Sequence, residues 1–63
     1  MSKSAERALH VLKALARSDN GMGLMEVASA TGLDKTTTSR LLDTLQKQAF
    51  IHRDPQSKQY HVG

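Results

Sequence analysis

Cysteine is absent from this 63-residue chain, so neither a disulfide framework nor a thiolate metal site can compensate for a small core. Aromatic residues are nearly absent as well. Phe50 and Tyr60 are too few for the stacking platform that single strands and RNA loops require. No apolar run approaches the roughly 20 residues of a membrane span, and the N-terminus lacks the apolar segment of a secretory signal. No glycine-rich phosphate loop occurs, and no serine, histidine and aspartate set has the support of a catalytic triad. The histidines are His10, His52 and His61. The last two can meet across a hairpin, but they lack the third ligand of a zinc site. The expectation is no catalytic residue, no metal, no cofactor and no enzyme activity.

What is present is modest in size and basic. A chain of this length buries only about 60% of its unfolded surface, which leaves no room for a deep pocket. The formal net charge is +3, compatible with a nucleic-acid partner. Its distribution says more. From Leu33 onward Lys35, Arg40, Lys47, Arg53 and Lys58 stand against Asp34, Asp43 and Asp54. Two of those acids fit a helix cap and a turn. With aromatics scarce, duplex binding is favoured over single-strand binding.

Apolar spacing predicts a first helix over about 5–17, capped by Ser4, with Ala5, Ala8, Leu9, Leu12, Leu15 and Ala16 as its core stripe. Val11 and Ala14 fall beside that stripe, next to Arg7. Such a flank is usually plain exposed surface, and in a self-pairing regulator Arg7, Val11 and Ala14 become a dimer contact. Ser18-Asp19-Asn20-Gly21 stops the helix. Met22-Gly23-Leu24 has length for only a scrap of strand. A second helix over about 25–31 buries Val27 and Ala28, and its start is frayed because Met25 or Leu24 stands where a capping hydroxyl belongs. Glu26 offers it dipole compensation, and Gly32 takes the left-handed C-terminal position.

The segment from Asp34 carries most of the functional signal. Asp34 caps a third helix over about 35–48, with Thr38, Leu41, Leu42, Leu45 and Ala49 on the inner side. Thr36, Arg40, Asp43, Thr44 and Lys47 point outward, with Thr37 and Ser39 on the flanks. A short helix, a glycine turn at Thr31-Gly32-Leu33 and a helix faced with hydroxyls and cations form a DNA-reading helix-turn-helix. At about 1.5 Å per residue the third helix is about 21 Å long, enough to cross a major groove. Strands over about 50–53 and 59–62 flank the turn Asp54-Pro55-Gln56-Ser57-Lys58, and the hairpin leans on the helices through Ile51, Tyr60 and Val62. The fold class is mainly α with a small β-hairpin: a winged helix-turn-helix of three helices and a two-stranded wing, filling residues 1–63.

These segments, in this order and spacing, resemble a known family. Glu6-Arg7-Ala8-Leu9 with Val11-Leu12, Glu26-Val27-Ala28 and Thr31-Gly32-Leu33 are similar to the N-terminal domain of IclR-family bacterial transcriptional regulators. So are Lys35-Thr36-Thr37, Arg40-Leu41-Leu42 with Thr44-Leu45, Arg53-Asp54-Pro55, and Tyr60 with Val62-Gly63. The resemblance implies an operator-binding domain whose effector-binding domain is absent from this chain. It implies a double-stranded DNA operator as partner, a homodimer or higher homo-oligomer in the full-length protein, and a small-molecule effector bound elsewhere. It also implies a cytoplasmic, nucleoid-associated location with no membrane contact. Lys35, Thr36, Thr37, Ser39 and Arg40 fall where the family contacts DNA. Four positions depart from the pattern: Met25 for a small hydroxyl cap, Ser39 for histidine, Ala49 for glycine, and Lys58 for the wing glycine. If position 49 takes a positive φ, alanine there costs about 1 kcal/mol.

Arg40 is the expected base reader, because a guanidinium can donate twice to guanine O6 and N7. The bland alternative is a solvated arginine paired with Asp43 or another glutamate or aspartate nearby. Thr36 and Thr37 serve phosphates or a thymine methyl, or simply reinforce the cap. Lys35 opposes the helix dipole, which a neighbouring phosphate would explain. Ser39 and Thr44 complete the outer face, and Lys58 reaches from the wing tip. The alternative function is a winged helix that docks proteins without binding DNA; it would favour apolar anchors on that face.

Overall fold

In the computed structural model, which describes residues 2–63, α1 (Lys3–Arg17), α2 (Leu24–Thr31) and α3 (Lys35–Lys47) precede strands β1 (Ile51–Arg53) and β2 (Tyr60–Val62). The strands pair antiparallel in the register Ile51↔Val62, His52↔His61, Arg53↔Tyr60. This is the expected winged helix, with each element within two residues of its expected bounds. Among the described residues no helix is long and apolar enough to cross a membrane.

The first helix starts earlier than expected because Ser2, not Ser4, caps it. The Ser2 hydroxyl accepts the Ala5 N–H at 3.1 Å. Ser4 lies inside the first turn, where its own backbone is already helical. The buried face of α1 also differs. Val11 is fully buried and Leu15 nearly so, while Leu9 remains 49% exposed. The dimer contact expected of Val11 does not fit this placement, because its side chain lies in the core and offers no surface to a partner. Arg7 is exposed and Ala14 half-buried.

Val11 and Leu15 meet Val27 of α2, Leu42 and Leu45 of α3, and Ile51 of β1 in one cluster. Leu12, Met22, Leu24, Leu33, Leu41 and Tyr60 close its edges. Ile51 anchors the wing and Tyr60 packs beside it, but Val62 is 45% exposed and does not share the anchoring role expected of it. The wing has a second attachment instead. Met22 and Tyr60 exchange both backbone hydrogen bonds, at 3.1 and 2.7 Å, so the α1–α2 connection adds a third short rung to the sheet. Gly21 makes that approach possible: at φ +81 it lies so close that a Cβ would fall 2.7 Å from the Tyr60 carbonyl oxygen.

The end of α3 is a Schellman turn. Phe50 N–H donates to the Leu45 carbonyl and Ala49 N–H to the Gln46 carbonyl, each at 2.9 Å. Ala49 sits at φ 64, the conformation that favours glycine, and is exposed rather than aligned with the buried side of the helix. Ala49→Gly should therefore stabilise the domain by about 1 kcal/mol. Urea unfolding tests this, the expected result being a higher midpoint at unchanged slope. Lys58, at φ 61, stands in the same region at the wing turn.

Candidate nucleic-acid interface

Helix α3 is held by its inner side. Leu42 and Thr38 are fully buried and Leu45 nearly so. The Thr38 hydroxyl, which would otherwise be a stranded polar group, donates to the Asp34 carbonyl at 2.8 Å. At the N-terminus the Asp34 carboxylate accepts the Thr37 N–H at 3.0 Å. Hydrogen bonding from the Thr37 side chain first, and then from its backbone N–H, holds the Asp34 carboxyl below its ordinary value of 3.8. In the wing turn the Gln56 N–H does the same for Asp54. Both groups have lowered folded-state pKa values. Their stabilising contribution is therefore complete above the unfolded value and lost as pH falls through the folded one. Thermal midpoints should stay level from neutrality down to about pH 5 and drop below about pH 4, with part of the drop removed in Asp34→Asn. A decline already complete at pH 6 would assign the effect to histidine instead.

The turn before α3 is equally determined. Gly32 adopts φ 74 and its N–H donates to the Ala28 carbonyl at 2.9 Å, ending α2. The preceding Thr31 hydroxyl bonds the Val27 carbonyl at 2.8 Å. Leu33 then turns inward against the core. At the other end of α2 the start is better held than its sequence suggests: Gly23 occupies the cap position, and the Glu26 carboxylate reaches back to accept the Gly23 N–H at 3.1 Å. Gly23 has no side chain, so this is only the reciprocal half of a capping box.

With the inner side fixed, Lys35, Thr36, Ser39, Arg40, Asp43, Thr44 and Lys47 are all exposed. Thr37 is half-buried on the flank. Asp43 pairs with Lys47 at 3.1 Å, so the only acid of the outward set is neutralised by its own neighbour. Arg40 has no ion-pair partner among the described residues. The bland alternative, an Arg40–Asp43 pair, is not what the molecule forms. The face thus presents two unneutralised cations, Lys35 and Arg40, among hydroxyls. That composition suits phosphate oxygens and base edges.

Lys58 is exposed in the wing turn, and its N–H donates to the Asp54 carbonyl at 2.8 Å. Arg53 adds a cation that did not rank among the expected contacts: its guanidinium carbon lies 5.8 Å from the centroid of the Tyr60 ring. The signal was available, because alternation puts positions 53 and 60 on one face of the hairpin. On the other face His52 and His61 stack with ring centroids 5.3 Å apart. Among the described residues no group of three or more histidines, cysteines or acids could hold a metal ion.

Comparison with known proteins follows the same lines. The model of the IclR helix-turn-helix domain matches residues 4–55. The chain is 39% identical over 61 residues to the glycerol operon regulatory protein of Streptomyces coelicolor, covering 97% of this chain and 24% of that protein. It is 34% identical over 61 residues to the transcriptional repressor IclR of Escherichia coli, covering 97% of this chain and 22% of the repressor. The crystal structure of an IclR transcriptional regulator from Alicyclobacillus acidocaldarius superimposes with a TM-score of 0.90 at 39% identity, over 100% of this chain and 26% of that one. The chain thus spans about a quarter of the length of the relatives it matches. These relatives are transcriptional regulators.

Proposed function

The chain belongs to the IclR helix-turn-helix domain family, and from that premise we propose that it reads a specific duplex DNA sequence as the operator-binding module of a bacterial, ligand-responsive transcriptional regulator. The outer face of α3 lies in the major groove. Arg40 donates to a guanine, Thr36, Thr37, Ser39 and Thr44 meet base edges or phosphates, and Lys35 takes a phosphate. Lys58, with Arg53 behind it, reaches the backbone from the wing. The whole protein acts as a homodimer in the cytoplasm on two half-sites about 34 Å apart, and a small-molecule effector binds a separate domain.

One observation carries this reading: Arg40 is exposed and unpaired at the centre of a polar face whose reverse side is locked into the core. That outer face has no apolar anchor, so nothing favours its use in docking a protein. The test is a salt titration of duplex binding. The logarithm of affinity should fall against the logarithm of salt by about 0.9 for each phosphate neutralised. Lys35→Ala and Lys58→Ala should each reduce the slope by about one. Affinity independent of salt would rule the proposal out.

A further inference from the structure

The DNA contacts assigned above leave one ion pair on the outward side of α3 without a role. At about 100° per residue, Thr36, Arg40, Asp43 and Lys47 lie within about 60° of one another. That line is nearly opposite the arc of Thr38, Leu42 and Leu45, which the core buries. The Asp43 side chain is 62% exposed and that of Lys47 74%. On an ordinary surface, an acid four residues before a lysine only steadies its helix. Here the acid stands on the crest, so a duplex that meets Arg40 also meets Asp43. Phosphates, guanine and thymine turn electronegative atoms toward it, and only a donor on a base edge attracts it.

The pair itself has the polarity of a base-pair edge. Lys47 Nζ lies 3.1 Å from Asp43 Oδ2, and Oδ1 carries no hydrogen bond among the described residues. An open acceptor with a donor beside it matches C·G, where cytosine N4 donates and guanine O6 and N7 accept. An A·T pair fits less well. Adenine sets the N7 acceptor beside its N6 donor, which repels a carboxylate, and the thymine methyl crowds the lysine. Along the helix axis Asp43 stands about 4.5 Å beyond Arg40, against about 3.4 Å per base pair. The C·G pair is therefore the neighbour of the guanine that Arg40 takes.

We propose that Asp43 and Lys47 together determine specificity for one C·G base pair, Asp43 Oδ1 accepting from cytosine N4 and Lys47 donating to the paired guanine. This rests on the operator-binding role of α3 and adds a base preference to it. Asp43 contributes by rejection as much as by attraction, since its charge penalises every base pair that offers no donor there. Lys47 keeps that charge from repelling the phosphates on either side.

The test begins with duplexes selected from a random pool by the parent chain. Fluorescence anisotropy then measures binding to the selected duplex and to its single-base-pair variants. At a position beside the one that Arg40→Ala relaxes, the parent should favour C·G over the other three pairs by at least about 5-fold. Asp43→Ala should bring all four within about 2-fold, weakening the C·G duplex and tightening the others as the repelling carboxylate is lost. A residue that only steadied the helix would lower all four alike. Asp43→Asn should turn the preference toward adenine in place of cytosine, because its amide can accept from N6 and donate to N7. Lys47→Ala should relax the same base pair. Both side chains are exposed, so helical circular dichroism should be unchanged in each variant. An Asp43→Ala chain that keeps the parent's preference at every base pair overturns the proposal, as does relaxation of different base pairs by Asp43→Ala and Lys47→Ala. Operator binding by α3 survives either result. A parent chain that selects no sequence removes the operator-binding role itself, and this proposal with it.

Discussion

Arg40→Ala should weaken binding to the selected operator by about 1–3 kcal/mol, or roughly 5- to 150-fold, and relax preference at one or two base pairs. The fold should be untouched, because Arg40 is exposed and no ion pair in the domain depends on it. Titration against the operator and single-base variants of it separates base reading from phosphate contact. A base reader loses discrimination at its own position; a phosphate contact loses affinity equally for every sequence. Arg40→Lys sharpens the distinction, since it keeps the charge but not the paired donors. If Arg40→Ala lowers affinity uniformly and leaves specificity intact, the role assigned to this side chain is wrong, although duplex binding itself would stand.

The second large effect lies on the opposite side of the same helix. Leu42 has no solvent exposure and touches the core shared by all three helices and the wing. Leu42→Ala should cost about 2–5 kcal/mol, through lost burial and the cavity left behind. A domain of this length holds only about 3–9 kcal/mol in total at typical values per residue. The variant should therefore be largely unfolded or melt far below the parent. Loss of DNA binding here would accompany loss of helical circular dichroism, whereas in Arg40→Ala binding falls and the helical signal stays. A Leu42→Ala protein with unchanged melting would contradict the placement of α3 against the core.

The elements were legible because each carries its own local chemistry. Asp34 announces the start of α3, Gly32 the turn before it, and Asp54-Pro55 the bend of the wing. The outward set on α3 was legible for the same reason: a single helix with a clear polar side has only one way to turn. The first helix was harder. Its apolar residues form one broad arc of about 220° at about 100° per residue, from Ala14 through Val11, Leu15 and Leu12 to Leu9. Spacing alone predicts a core along the half of that arc ending at Leu9. Packing took its middle instead, burying Val11 and Leu15 and leaving Leu9 outside.

Two further features depend on contacts that no local pattern encodes. The Met22–Tyr60 rung joins positions 38 residues apart, and Gly21 is needed there only because the Tyr60 carbonyl comes so close. The anchoring of the wing was shared wrongly for a related reason. Alternation places Tyr60 and Val62 on one face, but only Tyr60 packs against the core; Val62, paired with the buried Ile51, stays 45% exposed.

The most direct test of the claim that the outer face of α3 receives DNA is an amide-shift titration. The ¹⁵N-labelled protein would be titrated with a duplex selected from a random pool. The account predicts the largest shifts at Lys35, Thr36, Ser39, Arg40 and Thr44, smaller ones at Arg53 and Lys58, and none centred on Leu9 of α1. Shifts concentrated on α1, with α3 unmoved at saturating duplex, would contradict it.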